Sequence, residues 1–167
     1  LRPWDWLLRR RRWRPIPRPP AREFPFRDLP ERTLPALLDT VDVTHPMTLS
    51  LVAHELARRG DDVVDGLLES ARDGPPLQRI PIALALQAVG LDDERTIPVL
   101  ESMAASTDVG LRVHAAAALA RRGRATGREV LEGARELDVV VAGHPPARAS
   151  DLARRMLESL GEVGEGR

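Results

Sequence analysis

The sequence contains no cysteine and no lysine, and only 3% of its 167 residues are aromatic. Without cysteine the chain has no disulfide framework, no thiolate nucleophile and no cysteine-based zinc site. Its 25 basic residues are all arginine, a bias that we attribute to a GC-rich, bacterial genome. No apolar run approaches the roughly 20 residues that a membrane-spanning helix needs, so we expect a domain that folds in water and works in the cytoplasm.

Charge and aromatic residues are distributed unevenly along the chain. Residues 1–22 contain eight Arg and one acidic residue, a net charge of +7, whereas the rest of the chain has a net charge of −7. All five aromatic residues also lie near the N-terminus. The core of the remainder is therefore built from Leu, Val, Ile, Ala and Met, a composition that suits close-packed helices. We expect a basic arm over 1–28, a helical domain over 29–161 and a flexible tail over 162–167.

The stretch that follows the arm is internally repetitive. A four-residue phrase of two aliphatic residues, an acid and a small residue recurs at spacings of 30, 32 and 31 residues. Out of phase with it, an Ala- and Leu-rich segment recurs and ends each time at a glycine. Two helices thus alternate within each unit of about 31 residues, which indicates a helical repeat array. The phrases occupy 37–40, 67–70, 99–102 and 130–133, and the glycines are Gly60, Gly90 and Gly123.

Residues with known helix-end preferences mark the boundaries between these helices. Arg-Arg-Gly at 58–60 and at 121–123 places cations in a last helical turn and glycine at a left-handed cap. Acidic pairs at 61–62 and 92–93 are predicted N-caps, and the stretch 126–129 has the spacing of a capping box. Each helix is therefore expected to be followed at once by the next.

These patterns predict eight helices and no strand. The apolar run 139–142 is short and has no partner run elsewhere, so we interpret it as a helix end or a packed linker. The predicted helices span 30–40, 46–59, 62–73, 77–89, 94–105, 109–122, 126–137 and 150–160.

Two stretches resemble the repeats of a known family. Residues 75–106 (PPLQRIPIALALQAVGLDDERTIPVLESMAAS) and 108–136 (DVGLRVHAAAALARRGRATGREVLEGARE) resemble HEAT repeats of the short phycobilisome-lyase-like type. The resemblance extends over about 29–137 and implies an all-α fold, a right-handed α-α superhelix of about four helical hairpins. In that family an Asp followed about four residues later by an Arg opens the first helix of a repeat, and Asp108 with Arg112 matches this pattern.

The resemblance leaves the activity open, since members of the family range from scaffolds to lyases and hydroxylases. His54 and Glu55 resemble the His-Glu pairs with which HEAT-like deoxyhypusine hydroxylases bind a di-iron centre. The other repeats lack such a pair, and His114 has no acid after it, so we predict no metal site and no cofactor. No residue can be assigned to holding a tetrapyrrole, and no set of Ser, His and acidic residues indicates hydrolysis.

The arm is the most unusual feature of the sequence. Four consecutive arginines lie between tryptophans and precede a Pro-rich stretch. One interpretation places the indoles and guanidinium groups at an anionic lipid interface. A second is a polyproline II ligand, because 14–20 has the spacing Arg-x-x-Pro-x-x-Pro. A third is an aromatic cap over the open end of the helical array. The candidate residues are Trp4, Trp6, Arg9, Arg10, Arg11, Arg12, Trp13 and Arg14.

A second set of arginines lies at equivalent helix-to-helix turns. Because repeats place equivalent turns on one edge of an array, these side chains predict a basic ridge that faces an acidic partner. Solvated cations at helix ends are the alternative interpretation. The set consists of Arg58, Arg59, Arg121, Arg122, Arg124 and Arg128.

Together these patterns predict a non-catalytic scaffold or adaptor that binds a macromolecule in a solenoid groove. We expect a protein partner and no small-molecule substrate. An anionic membrane surface is an alternative partner for the arm, whereas the acidic array disfavours nucleic acid because it repels phosphate. One alternative function is the cytoplasmic domain of a membrane-anchored protein at the inner face of the membrane, since the chain starts at Leu1 rather than Met and a span could precede it. Another is a HEAT-like enzyme, a lyase or a metal-dependent hydroxylase, that uses the groove.

Overall fold

The computed structural model describes residues 28–42, 45, 47–141 and 146–165. Of the expected N-terminal arm, only Asp28 falls within these ranges. Most of the described residues are helical, which confirms the all-α class.

Eight α-helices run through the described residues, close to the positions predicted from the repeats. Two short 3-10 turns, Leu29–Glu31 and Gly60–Val63, precede the first and the third helix. The last helix extends to Glu165, into the stretch expected to be a tail. The helices are α1 (Leu34–Asp39), α2 (Met47–Arg58), α3 (Val64–Asp73), α4 (Pro76–Ala85), α5 (Thr96–Ala104), α6 (Val109–Arg121), α7 (Ala125–Ala134) and α8 (Ala149–Glu165).

The apolar run after α7 forms a strand, so the expectation of a linker without strands was wrong. Val140–Val141 (β1) pairs antiparallel with Ala147–Arg148 (β2), with Val141 opposite Ala147. The side chain of Val141 is buried in the core near the start of α6. The partner strand has no apolar run of its own because it contributes mainly backbone hydrogen bonds, and a search for a second apolar run therefore missed it.

The three glycines that follow the recurrent helices adopt the left-handed conformation, as predicted for Gly60 and Gly123. Gly90 does so as well, although α4 ends earlier, at Ala85. Gly60, Gly90 and Gly123 have φ angles of 71°, 61° and 73°, and no other described residue has a positive φ. A side chain at any of these positions would strain the backbone, since only glycine enters this region at little cost. Three equivalent turns therefore follow the recurrent helices.

The acidic residues that follow these glycines do not cap the next helices. The pair at 61–62 lies in the 3-10 turn, which separates it from the start of α3. The Oδ1 atom of Asp61 instead accepts a hydrogen bond of 2.7 Å from the backbone N–H of Gly90 and so joins two consecutive turns. Asp93 likewise precedes the helix, and its carboxylate accepts the N–H of Arg95 at 3.0 Å.

The cap assignments in the second half of the array were also only partly correct. α7 begins at Ala125 without a side-chain cap, so the capping box predicted at 126–129 is absent from this helix start. Asp108, which the family resemblance singled out, is the N-cap of α6: its carboxylate accepts the N–H of Leu111 at 2.8 Å. A cap of this kind stabilises a helix by about 1 kcal/mol.

The helices pack in two rows. In the even-numbered row α2 contacts α4, α4 contacts α6 and α6 contacts α8, while α1 contacts α3 and α3 contacts α5 in the other row. Contacts between the rows, such as those of α6 with α5 and α7, enclose a core of Leu, Val, Ile, Ala and Met side chains. The odd-numbered helices are thus buried on one side and leave the other side to solvent.

The recurrent four-residue phrase distinguishes the buried side of the odd-numbered helices from the solvent-exposed side. In each odd-numbered helix the second residue of the phrase is buried and the acidic third residue is exposed. The repeat therefore aligns acidic side chains along the outer face of this row. The buried residues are Leu38, Leu68, Leu100 and Leu131, and the exposed acids are Asp39, Glu69, Glu101 and Glu132.

Candidate partner-binding groove

A groove of about 760 Å³ lies between α3 and α5 on the outer face of the odd-numbered row. Its floor is apolar, because the buried side chains of Leu68 and Ala71 and the half-buried Val99 reach it. Charged and polar side chains form its walls. The residues that line the groove are Asp65, Leu68, Glu69, Ala71, Arg72, Arg95, Pro98, Val99 and Ser102.

A second depression, of about 830 Å³, continues this groove toward the turns. The two share Asp65 and Arg95, and we call them together the α3–α5 trough. Acids from two consecutive turns converge in the second depression because Gly60 and Gly90 occupy equivalent places in the repeat. Its residues are Asp61, Asp62, Val64, Asp65, Gly90, Asp92, Asp93, Glu94 and Arg95.

Seven acidic residues and two arginines line the trough as a whole, so its net charge is negative. Arg95 lies between two of the acids, at 2.8 Å from Asp65 and 2.7 Å from Asp93. Its hydrogen bonds to the carboxylate lower the pKa of Asp93. These pairs are largely solvated and add little to stability, but they hold one guanidinium group at the point where the two depressions meet.

Three acids of the trough are available to a partner. The side chains of Asp62, Glu69 and Asp92 are exposed and make no hydrogen bond or ion pair with any other residue in the described ranges. An exposed carboxylate without a partner is fully hydrated and can pair with an incoming cation without first giving up an internal contact. Arg72, which also lines the trough, is likewise exposed, and its side chain makes no hydrogen bond or ion pair with other described residues. The trough therefore combines an apolar floor with unpaired charges that are negative in balance.

Two members of the predicted basic ridge hold the fold together. The guanidinium of Arg122 is half-buried and donates to the carbonyl oxygens of Val89 and Gly90, both at 3.1 Å, and to that of Ala118 at 2.9 Å. Burial lowers its pKa. It also donates to the hydroxyl of Thr96 at 3.1 Å. Arg122 thus links one turn of the array to the preceding turn through hydrogen bonds.

Arg59 has the equivalent role at the N-terminal end of the array. Its guanidinium donates to the carbonyl oxygens of Leu29, at 3.1 Å, and Arg32, at 2.7 Å, and pairs with Glu55 at 2.9 Å. The middle turn holds Val89 at this position and uses the hydrogen bond between Asp61 and Gly90 instead. Arg59 and Arg122 are therefore committed to backbone carbonyls rather than to a ridge.

The other four ridge residues differ in what they contact. Arg58 pairs with Glu55 and Arg124 pairs with Glu94, each at 2.8 Å. Arg121 and Arg128 are exposed, and their side chains make no hydrogen bond or ion pair with other described residues. Of the predicted ridge, only Arg121 and Arg128 are therefore exposed cations without a partner among the described residues.

The candidate residues of the arm lie outside the described residues. They are Trp4, Trp6, Arg9, Arg10, Arg11, Arg12, Trp13 and Arg14. None of the helices in the described ranges is both long and apolar enough to cross a membrane.

The histidines considered as metal ligands lie in different environments. His54 is exposed, whereas the adjacent Glu55 is buried and accepts hydrogen bonds from Arg58 and Arg59. These hydrogen bonds, chiefly that of Arg58, lower the pKa of Glu55 to about 2. His114 lies inside the fold, where burial lowers its pKa to about 4, and its Nδ1 atom has no hydrogen-bond partner among the described residues. Within the described ranges no three His or acidic side chains come together as a metal site would require.

A scan of protein-family models, a search of curated proteins and a search of solved structures each found no match to this chain. The functional interpretation therefore depends on the geometry of the chain itself.

The trough was not among the sites predicted from the sequence. Its two walls come from helices about 30 residues apart, and only the packing of α3 on α5 brings them together. A signal was nevertheless present, because the recurrent phrase places an acid at Glu69 beside an aliphatic residue that becomes the floor. From the sequence alone, the repeated acids are expected only to be solvated, because an acid on an exposed helix face needs no partner.

Proposed function

We propose that the protein is a HEAT-like α-solenoid that binds a protein partner in the α3–α5 trough and has no catalytic activity of its own. The observation that carries this proposal is the trough itself, an open groove with an apolar floor and unpaired acids at its rim. An apolar floor supplies desolvation energy to a docked side chain, and charge at the rim selects the partner and its orientation.

The two rows of helices support a solenoid architecture. Sequential contacts along the even-numbered row and from α1 to α5 in the other row, together with equivalent glycine turns, are what stacked helical hairpins produce. We propose that the rows follow a right-handed superhelix, as the resemblance to HEAT repeats implies, with the odd-numbered helices on the binding side.

The chemistry of the trough favours a basic segment that also carries apolar side chains. The floor around Leu68 and Val99 is small compared with the roughly 800 Å² that each partner contributes to a standard interface. A partner that binds here therefore contacts neighbouring odd-numbered helices as well, or binds with modest affinity. We propose that this interaction takes place in the cytoplasm.

The test uses two charge reversals at repeat-equivalent positions. Glu69→Arg changes the trough, whereas Glu101→Arg changes the equivalent exposed acid of α5, which does not line the groove. The 167-residue chain and both variants are used to capture proteins from bacterial lysate, and the retained proteins are quantified by mass spectrometry. We expect a partner that the wild type and Glu101→Arg retain and that Glu69→Arg loses. Equal retention by both variants would contradict binding in the trough.

A further inference from the structure

The chain enters the described fold beside the acidic end of the trough. The carbonyl oxygen of Leu29 lies 3.1 Å from the guanidinium of Arg59. Arg59 directly precedes the 3-10 turn whose Asp61 and Asp62 line the trough. Whatever lies upstream of Asp28 is therefore attached close to the trough's acidic rim.

The segment attached there has the opposite charge. Residues 1–27 contain nine arginines and two acids, a net charge of +7, while residues 28–167 have a net charge of −7. Three acids that line the trough, Asp62, Glu69 and Asp92, are exposed and make no hydrogen bond or ion pair with other described residues. Opposite charges held on one chain attract each other more strongly as the salt concentration falls.

The segment also has the apolar groups and the length that the trough requires. Three tryptophans and an isoleucine are interspersed among its arginines and prolines. An extended chain of 27 residues reaches up to about 90 Å, whereas α3 has ten residues and a length of roughly 15 Å. Tethering also raises the effective concentration of the segment at the trough to the order of millimolar.

We propose that residues 1–27 bind in the α3–α5 trough of their own chain, with arginines on the acidic rim and tryptophan over the apolar floor around Leu68 and Val99. The segment then covers the surface to which we assign partner binding, so that a partner must displace it. This regulatory consequence rests on the proposed function, but the docking of the segment does not require any partner to exist.

Tryptophan fluorescence of the 167-residue chain reports on this docking alone. The three tryptophans of the chain, Trp4, Trp6 and Trp13, all belong to the segment, so their emission wavelength and their quenching by acrylamide measure how far it is shielded from water. The test variant carries Asp62→Asn, Glu69→Gln and Asp92→Asn, three exposed acids without partners. The matched control carries three substitutions of exposed acids outside the trough, in or just after α7 and in α8: Glu129→Gln, Glu136→Gln and Glu158→Gln.

For the wild type at low salt we expect blue-shifted emission and weaker quenching than in the urea-unfolded chain. About 1 M salt, at which the Debye length is about 3 Å, is expected to reverse both effects. The triple trough variant is expected to lower the docking equilibrium about tenfold, the loss of three exposed charge contacts, and so to quench more strongly than the control variant. Circular dichroism checks that both variants keep their helices.

Three results would overturn the proposal. Quenching of the wild type equal to that of the unfolded chain would show that the segment does not dock. Shielding that survives both high salt and the trough variant would show that the tryptophans cover another surface, such as the open end of the array. Shielding that disappears on about tenfold dilution would show docking on a second copy rather than in the same chain. None of these results depends on partner capture, so a failure here is distinguishable from a failure of the proposed function.

Discussion

Replacing Arg122 by Met is expected to destabilise the fold severely, because this side chain joins two turns of the array. The guanidinium donates four hydrogen bonds, three of them to the backbone carbonyl oxygens of Val89, Gly90 and Ala118. Hydrogen bonds from a charged group contribute about 1.5–3 kcal/mol each, and an abandoned buried carbonyl costs a further 1–3 kcal/mol or so. Against this stands the desolvation of a half-buried cation, which the substitution relieves.

The balance of these contributions is a loss of about 2–4 kcal/mol in the free energy of unfolding, a large fraction of the roughly 5–15 kcal/mol that a domain possesses. In urea, followed by circular dichroism, the midpoint is expected to fall by about 1–2 M. Arg122→Lys is expected to lose an intermediate amount, since an ammonium group cannot reach all the acceptors of the planar guanidinium. The control is Arg121→Met, at an exposed neighbour whose side chain makes no hydrogen bond or ion pair with other described residues. This substitution is expected to change stability by less than about 0.5 kcal/mol. Equal midpoints for Arg121→Met and Arg122→Met would show that the hydrogen bonds of Arg122 to the preceding turn do not stabilise the fold.

Three further outcomes follow from particular residues. Gly127→Ala is expected to destabilise the fold by more than about 2 kcal/mol, because the new Cβ would lie 2.4 Å from the carbonyl oxygen of Ala116. In the same helix, the new Cβ of Gly133→Ala would have no heavy atom within 4 Å. This control is expected to stabilise the fold by up to about 1 kcal/mol in urea titrations. Burial lowers the pKa of His114 to about 4, below its unfolded value near 6.5, so the folded state binds fewer protons. The free energy of unfolding is therefore expected to fall by about 3 kcal/mol as the pH drops from 6.5 through 4. A His114→Leu variant that shows the same loss over this pH range would contradict the role of His114. Reversing Arg121 and Arg128 to Glu is expected to leave partner capture unchanged if the trough is the binding site. Loss of the partner in this variant would instead support the basic ridge as the binding surface.

The sequence was most informative where local chemistry decides the structure. The glycines at positions 60, 90 and 123 predicted three helix ends because only glycine adopts the left-handed cap at low cost, and the structure has positive φ at all three. The alternation of helices followed from the recurrent phrase, whose buried leucines and exposed acids occupy the same places in each odd-numbered helix. Both signals are confined to short stretches of the chain.

The roles of the arginines could not be predicted in this way. Arg59 and Arg122 are the second arginines of their Arg-Arg-Gly stretches, and both donate to carbonyls about 30 residues away. The first arginines, Arg58 and Arg121, are exposed. The carbonyl acceptors lie in the preceding turn, which the repeat brings alongside only in the folded chain. Local preference therefore predicts a cation at a helix end but not the acceptor that it reaches.

The trough could not be predicted for a related reason. It needs Leu68 and Val99 to lie side by side, and their separation in sequence has no meaning until α3 packs on α5. The sequence alone showed that acids such as Glu69 recur with the repeat. It did not show that two consecutive turns place their acids around one depression.

Site-specific photo-crosslinking in bacterial cells examines partner binding at the trough itself, since it captures a bound protein whatever its identity. Ser102→benzoylphenylalanine places the photoreactive group in the groove, and Glu101→benzoylphenylalanine places it on the adjacent exposed position of α5, outside the groove. Cross-linking to the chain's own N-terminal segment does not raise the mass, so an adduct of higher mass identifies a partner. We expect such an adduct from position 102 in clear excess over any adduct from position 101, whose side chain lies on the outer face that a larger partner also covers. Equal yields from the two positions, an adduct from position 101 alone or no adduct from either position would argue against binding in the trough.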